Sequence, residues 1–373
     1  MTLSPSTRAW PPVPLAIAGL FSMTSGCTLG SDDPRTMEYE VTLHAEREIA
    51  LEETDEAYVA GIGSGTTIDF RNDGHLAVAD RMERRVLFFD DAGDLLGMFG
   101  REGEGPGEFR HILGIAWDER DRLWVSDNSG RITVIDATFA MDTLFEMGAD
   151  TDYARRLGSS RGTMLVEEHR FPPSGAAIRA YDLDGRPGPM LMAVPEEGGR
   201  PYVLGEFHAS SFPLGDTVLL ASSVNYPLLK VQADGTPLAT FGTRPPSIGT
   251  MTFPAAGEFA GSRQILGAEW QRSFGTVRAI WAVHDSLIVV EHTRRHPEAG
   301  GIPPWHYWID VYDRWSMEKL AEDVSPPGFV VGVHDDLLWL LTGTPLTSEP
   351  VGGPWTVTGF RVGLEPTADA ASR

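Results

Sequence analysis

The side chains best suited to chemistry fall at one recurring place in the sequence. An apolar triplet repeats along the chain, as Leu76-Ala77-Val78, Leu123-Trp124-Val125, Met164-Leu165-Val166, Val218-Leu219-Leu220, Leu287-Ile288-Val289 and Leu338-Trp339-Leu340. Aligning these copies brings Asp80, Asp127, Glu168, Ser222, Glu291 and Thr342 into register, followed by Arg81, Asn128, His169, Ser223, His292 and Gly343. Carboxylate oxygens suit Ca²⁺ and imidazole nitrogens suit Zn²⁺. A metal held by such groups could activate water. Asp127, Glu168, His169, Glu291 and His292 are therefore the candidate ligands of a calcium or zinc ion. Glu168, His169, Glu291 and His292 are also the candidate catalytic groups. His111 and His208 precede inner strands of their units and join Asn128 as candidate ligand-binding residues at the same rim. A plainer reading competes, because an Asp that ends a strand commonly caps the next turn through backbone hydrogen bonds. Capping is the preferred role for Asp80 and Asp127, whereas the two Glu-His pairs break that pattern.

A second group lies in HTRRHPEAGGIPPWHYW (292–308). Arg294, Arg295, Trp305, Tyr307 and Trp308 could form a cationic and aromatic lip for an anionic or sugar ligand, with Arg294 and Trp305 as its candidate contacts. Packing at the core edge is the simpler role for the tryptophans. His292 and His296 have a helical spacing, but Pro297 and Gly300-Gly301 predict a loop.

Several chemistries are excluded. GEGPG (103–107) is flanked by Glu102 and Glu108, which would repel a pyrophosphate, and GIGSGTT (61–67) lacks the lysine of a phosphate-binding loop. No Gly-x-Ser-x-Gly elbow occurs, and Cys27, the one cysteine, stands at the break after the N-terminal apolar run, which excludes thiol catalysis. A formal charge of −23 argues against a nucleic-acid partner, since phosphate binding needs clustered Lys and Arg.

The positioning elements are short strands. In IDFRNDGHLAVADRMERRVLFFDDAGDLLGMFG (68–100), apolar residues alternate in runs of four or five, broken by Asn-Asp-Gly and Asp-Ala-Gly turns. Leu76 and Val78 face one way and Ala77 and Ala79 the other. A four-stranded meander cannot bury both faces alone, and radial stacking of copies solves that while leaving few edges. Six copies predict an all-β, six-bladed β-propeller over residues 38–364, with residues 365–373 as a disordered tail. The last copy lacks a fourth strand, while strand-like residues 40–50 are left over at the other end. The N-terminal strand is thus expected to close the ring within the last blade.

The N-terminus predicts an address. Arg8, the apolar run 10–23 and the break at Ser25-Gly26-Cys27 describe a secretory signal over residues 1–26, too short to span a bilayer stably. The segment 27–37 then reads as a polar tether.

Two resemblances follow from these residues. Ser25-Gly26-Cys27 resembles the lipobox of bacterial lipoproteins, with Cys27 at the lipidated position, although Thr24 stands where Leu is usual. It implies a lipid-anchored envelope protein. The lack of Asp after the cysteine favours the outer membrane by the sorting rule of that family. The pattern DGHLAVAD…RVLFFDDAGDLLGMFG resembles NHL-type repeats, and GREGEGPGEF (100–109) resembles a loop of six-bladed propeller lipoproteins of bacteria. Such propellers are binding scaffolds or enzymes. The enzymes resemble gluconolactonases or strictosidine-synthase-like proteins that hold calcium or zinc in the funnel. The expected function is binding of a small molecule or an envelope protein by a monomer, with a metal-dependent hydrolase or lyase as the alternative.

Overall fold

Period-two alternation gives strands whose two faces are both apolar, and the turns between them are set by aspartates. In the computed structural model, Asp90 Oδ1 accepts the amides of Ala92 and Asp94, each at 2.9 Å. Asp136 does the same for Thr138 and Ala140, and Asp182 for Asp184 and Arg186. Each carboxylate replaces hydrogen bonds that a tight turn would leave unmade. Residues 39–52, 54, 58–60, 62, 67–147, 151, 153–170, 175–193, 209–222, 226–249, 274–295, 305–342 and 355–367 are described.

The described strands number twenty-four and form six four-stranded antiparallel sheets, the blades of a six-bladed β-propeller. A strand β1 (Tyr39–Ala50) precedes blade 1, which holds β2 (Ile68–Phe70), β3 (Leu76–Asp80), β4 (Arg85–Phe89) and β5 (Leu95–Phe99). Blade 2 holds β6 (Ile112–Trp117), β7 (Leu123–Asp127), β8 (Arg131–Ile135) and β9 (Met141–Glu146). Blade 3 comprises β10 (Tyr153–Ser160), β11 (Thr163–Arg170), β12 (Gly175–Asp182) and β13 (Pro187–Ala193). In blade 4 these are β14 (Ala209–Leu214), β15 (Thr217–Ser222), β16 (Leu228–Gln232) and β17 (Pro237–Phe241). Blade 5 has β18 (Thr276–Val283), β19 (Leu287–Arg295), β20 (Trp305–Asp313) and β21 (Lys319–Val324). The last blade is built from β22 (Phe329–His334), β23 (Leu337–Thr342), β24 (Thr356–Pro366) and, on its outside, β1.

The ring closes as expected. β1 runs antiparallel to β24 from Tyr39↔Pro366 to Ala50↔Thr356, with one bulge between Ala45 and Arg47. β24 is longer than its side chains suggest, and takes in Glu365 and Pro366, two residues the sequence assigned to the tail. β1 supplies backbone partners there, and ladder hydrogen bonds do not depend on an apolar pattern. The chain beyond β1 then turns onto blade 1. Glu52 N donates to Gly93 O at 2.9 Å, and Leu95 N to Glu52 Oε2 at 3.0 Å. Gly93 has φ of +94°, and a Cβ there would lie 2.2 Å from Ala50 O. The turn of blade 1 thus admits the closing segment only because it lacks a side chain.

Stability comes from six wedges between blades. Leu76 and Val78 pack with Trp339 and Val357 of blade 6, whereas Ala77 and Ala79 pack with Ile115 and Val125 of blade 2. The same alternation sends Trp124 to blade 3, Leu165 to blade 4, Leu219 to blade 5 and Val289 to blade 6. Each core strand therefore serves two wedges, which is why its apolar run is unbroken. No described helix is long and apolar enough to cross a membrane. The signal segment, the tether and Cys27 lie outside the described residues.

Candidate functional site

The innermost strand of each blade has one edge paired and one edge facing the axis, and the unpaired amides on that edge need acceptors. The sequence supplies them from the preceding blade. Asp69 Oδ2 in β2 accepts Trp117 N of blade 2 at 2.7 Å. Glu167 Oε1 in blade 3 accepts Ala209 N of blade 4 at 2.7 Å. Ser210 Oγ takes Ile280 N of blade 5 at 3.3 Å, and Glu291 Oε1 takes Val330 N of blade 6 at 2.8 Å.

Two arginines from inner strands join this set. Arg278 of β18 donates to Glu291 and to Val330 O, and lies 4.8 Å from the Phe329 ring centre. Arg156 of β10 reaches past blade 4 to Arg278 O and stands 3.8 Å from Glu167. All four ionic side chains are buried, from 9 % exposed at Arg156 to 0 % at Glu291. Burial pushes Arg156 down to about 10, against the pull of Glu167. It also opposes ionisation of Glu167, yet His169 and Arg156 hold that carboxyl below its ordinary value. The result is an ionic floor that ties blades 3, 5 and 6 together.

From this floor a cavity of about 340 Å³ runs toward the turns that join first and second strands. All six inner strands line it. Asp69, Trp117, Gly158, Ser211, Phe212 and Trp281 make much of its wall. Asp69 is half-buried and lines this cavity. Burial raises its carboxyl to about 7, although the amides of Trp117 and Phe70 favour the charged form.

The predicted residues fall into different surroundings. Asp80 and Asp127 end their strands and cap the next turns, as the plainer reading expects. Asp80 accepts Met82 N and Glu83 N at 3.2 and 3.3 Å, and Asp127 accepts Ser129 N at 2.9 Å. Asp127 also pairs with Arg131 at 3.0 Å. Glu168, His169, Glu291 and His292 do not sit in turns at all. β11 and β19 run on past the register position, so these residues lie inside strands, where successive side chains point to opposite faces. Glu168 accepts Tyr181 Oη at 2.5 Å and Arg179 Nε at 2.9 Å. His169 instead lies 3.0 Å from Glu167 and stacks on Tyr153. Glu291 faces blade 6, while His292 faces blade 4, 3.4 Å from Asp310 and 3.5 Å from Tyr226 Oη. Asp310 in turn holds Lys319 at 2.8 Å. Among the described residues no three acidic, imidazole or thiol groups are placed to hold one ion. The expected gathering of Asp127, Glu168, His169, Glu291 and His292 is therefore not what the pleat produces.

His111 binds Arg81, and its carbonyl accepts Asn128 N at 3.1 Å, while Asn128 itself is exposed. His208 and His296 lie outside the described residues. The stretch around Arg294 is strand rather than loop on both sides of 296–304, with Arg294 opposite His306 and Arg295 opposite Trp305. The Arg295 guanidinium lies 5.1 Å from the Trp305 ring centre. The axial groups Asp69, Arg156, Glu167 and Arg278 were missed by sequence reasoning. For Asp69, Arg156 and Arg278 the signal is a charge inside an inner strand, as in IDF, YARRLGSS and TVRAIWAV, whereas Glu167 lies in the second strand of blade 3.

A domain family described as a 6-bladed beta-propeller matches residues 37–142. Solved structures share the fold over most of the chain. A member of the DUF4221 family from Bacteroides vulgatus is 11 % identical, with a TM-score of 0.66, covering 88 % of this chain and 100 % of its own. A predicted exported protein from Bacteroides fragilis is 13 % identical, with a TM-score of 0.55, covering 89 % and 98 %. A search of curated proteins finds no match. The fold is a six-bladed β-propeller.

Proposed function

We propose that this propeller is an envelope-anchored binding protein that takes a small polar molecule into the axial cavity. The observation that carries the reading is the cavity itself. Its volume of about 340 Å³ is within the range of small-molecule sites, and an ionic floor keeps it preformed. Its wall joins aromatic rings to a few hydrogen-bonding groups, among them a carboxyl raised to about 7 that can donate as well as accept near neutral pH. The lipobox-like Ser25-Gly26-Cys27 supports the envelope address, as does the description of a protein that shares the fold as a predicted exported protein. No observation favours the metal-dependent alternative, because Glu168 and His169 are engaged with side chains inside blade 3, and Glu291 and His292 with partners in their own blade and in blades 6 and 4.

The test uses Gly158, which lines the cavity. A Cβ there would meet only Ser211 O, at 4.0 Å, so Gly158→Leu fills the space without a close contact at Cβ. Small polar compounds are screened by ligand-observed NMR against the wild-type chain. Compounds that bind wild type and lose at least about tenfold in affinity for Gly158→Leu are expected. Hits indifferent to the substitution would place binding elsewhere and sink this reading.

A further inference from the structure

The axial cavity has a charge character that narrows what it takes. Its wall carries the carboxylates Asp69, Asp118, Glu119 and Glu167, and Arg156 is the one cation among the described lining residues. Three of these acids are accounted for. Asp118 pairs with Arg122 at 2.7 Å, Glu167 lies 3.0 Å from His169 and 3.8 Å from Arg156, and Glu119 is exposed. Asp69 differs. It is half-buried, it accepts Trp117 N, and no cation among the described residues neutralises it. The ionic groups that flank it have partners of their own. Arg71, two residues on, pairs with Asp73 at 2.6 Å, and His334, stacked on Phe70, lies 3.3 Å from Asp335. Desolvation without a counter-charge is what raises the Asp69 carboxyl.

The strand registers show what shares its level of the ring. Asp69 pairs with Ala77, the middle residue of the first register triplet, and Phe212 of blade 4 pairs with Leu219, the middle residue of the fourth. The other four inner strands place Ala116, Gly158, Ala282 and Gly332 at this level. Only a carboxylate and, three blades away, a phenyl ring therefore extend beyond a methyl group there. Phe212 meets Trp281 edge to face, with ring centres 6.2 Å apart, and both line the cavity. Trp117 already has the Arg71 guanidinium 5.4 Å from its ring centre. Among the described residues no such cation lies against Phe212 or Trp281.

We propose that the cavity selects a small organic cation, a protonated amine or a quaternary ammonium, with the Asp69 carboxylate as its counter-ion and the Phe212 and Trp281 rings against its hydrocarbon body. This rests on the axial cavity being a binding site. A carboxylate in a poorly solvated wall attracts positive charge more strongly than the same group in water. Aromatic rings favour a cation over a neutral molecule of the same shape. The acidic wall disfavours anions. The bound ammonium gives Asp69 the partner that the fold does not supply.

The experiment is ligand-observed NMR titration of the full chain at pH 8, where the Asp69 carboxyl is ionised and alkylamines are protonated. The probes are cyclohexylammonium, tetramethylammonium, cyclohexanol and cyclohexanecarboxylate, at ionic strength held constant with sodium chloride. Saturable binding of at least one cation, with Kd at or below roughly 5 mM, is expected. The stronger cation tells an amine site from a quaternary one. Cyclohexanol should bind at least about tenfold more weakly than that cation, and the carboxylate not at all. Asp69→Asn keeps an oxygen for Trp117 N, and should cost the cation at least about tenfold while leaving cyclohexanol unchanged. Thermal unfolding checks that this variant is folded. If it is not, the ranking of the four probes on the wild-type chain decides alone. Gly158→Leu separates this inference from the reading beneath it. Probes that lose affinity in Gly158→Leu, but bind without preference for positive charge or equally well to Asp69→Asn, would overturn the cation selectivity and leave the cavity as a site. Cation binding that ignores both substitutions, or none by wild type, would overturn the proposal as well.

Discussion

Asp69 shows how a single residue couples the fold to pH. Its carboxyl is held protonated up to about pH 7 in the folded protein, whereas the unfolded chain releases that proton near 3.8. Between those values the native state binds the extra proton, so the stability this group contributes is complete below pH 3.8 and lost as pH rises through 7. Asp69→Asn keeps an oxygen for Trp117 N but cannot ionise. Urea unfolding across pH 4–7 should therefore show a flatter stability profile in the variant, and a more stable protein above pH 7. The difference is bounded at about 1.4 kcal/mol for each unit by which the carboxyl is raised. A profile unchanged from wild type would mean that Asp69 ionises freely. The neighbouring ionic groups behave differently, because Arg156, Glu167, Arg278 and Glu291 are paired rather than isolated. Removing one partner leaves the other buried without compensation, the costly case for a buried pair.

At the scale of elements, closure depends on how β1 leaves the last blade. It pairs with β24 over its whole length, then the next residues seat on the turn of blade 1 at Gly93. Gly93→Ala would put a methyl group against Ala50 O at a φ that non-glycine residues rarely adopt. The expected loss is roughly 2–4 kcal/mol in urea unfolding, without loss of β-sheet signal at low denaturant. A loss below about 0.5 kcal/mol would show that the closing segment does not depend on this seat. The strand lengths also explain where sequence reasoning was misled. β7 stops at Asp127, two residues beyond its register triplet, but β11 and β19 extend four and six residues beyond theirs, so Glu168-His169 and Glu291-His292 are split between two sheet faces.

For the whole molecule, the proposed envelope address rests on Cys27. Cys27→Ser tests the anchor. Expressed in a bacterial host with labelled palmitate, the wild-type chain should incorporate label and sediment with membranes. The variant should do neither, while its unfolding midpoint stays the same, because Cys27 precedes the first strand of the propeller in the sequence. Label or membrane association that survives the substitution would remove the lipid anchor from the proposal.

Most of the fold was legible in the chain, because its determinants are local. Alternation with period two, aspartates at turns, and six copies of an apolar triplet each act within a few residues. The surplus strand at one end and the deficit at the other also sufficed to predict closure. The candidate site was legible only in its register. Aligned positions Asp80 and Asp127 proved to be caps, and the Glu-His pairs went to separate faces. What tertiary structure alone decided is which charges meet at the axis. Asp69, Glu167 and Glu291 were chosen by the unpaired amides of the next blade, and Arg156 reaches a carbonyl two blades away. Such partners are set by how blades pack around a ring, and no local pattern in the sequence encodes that distance.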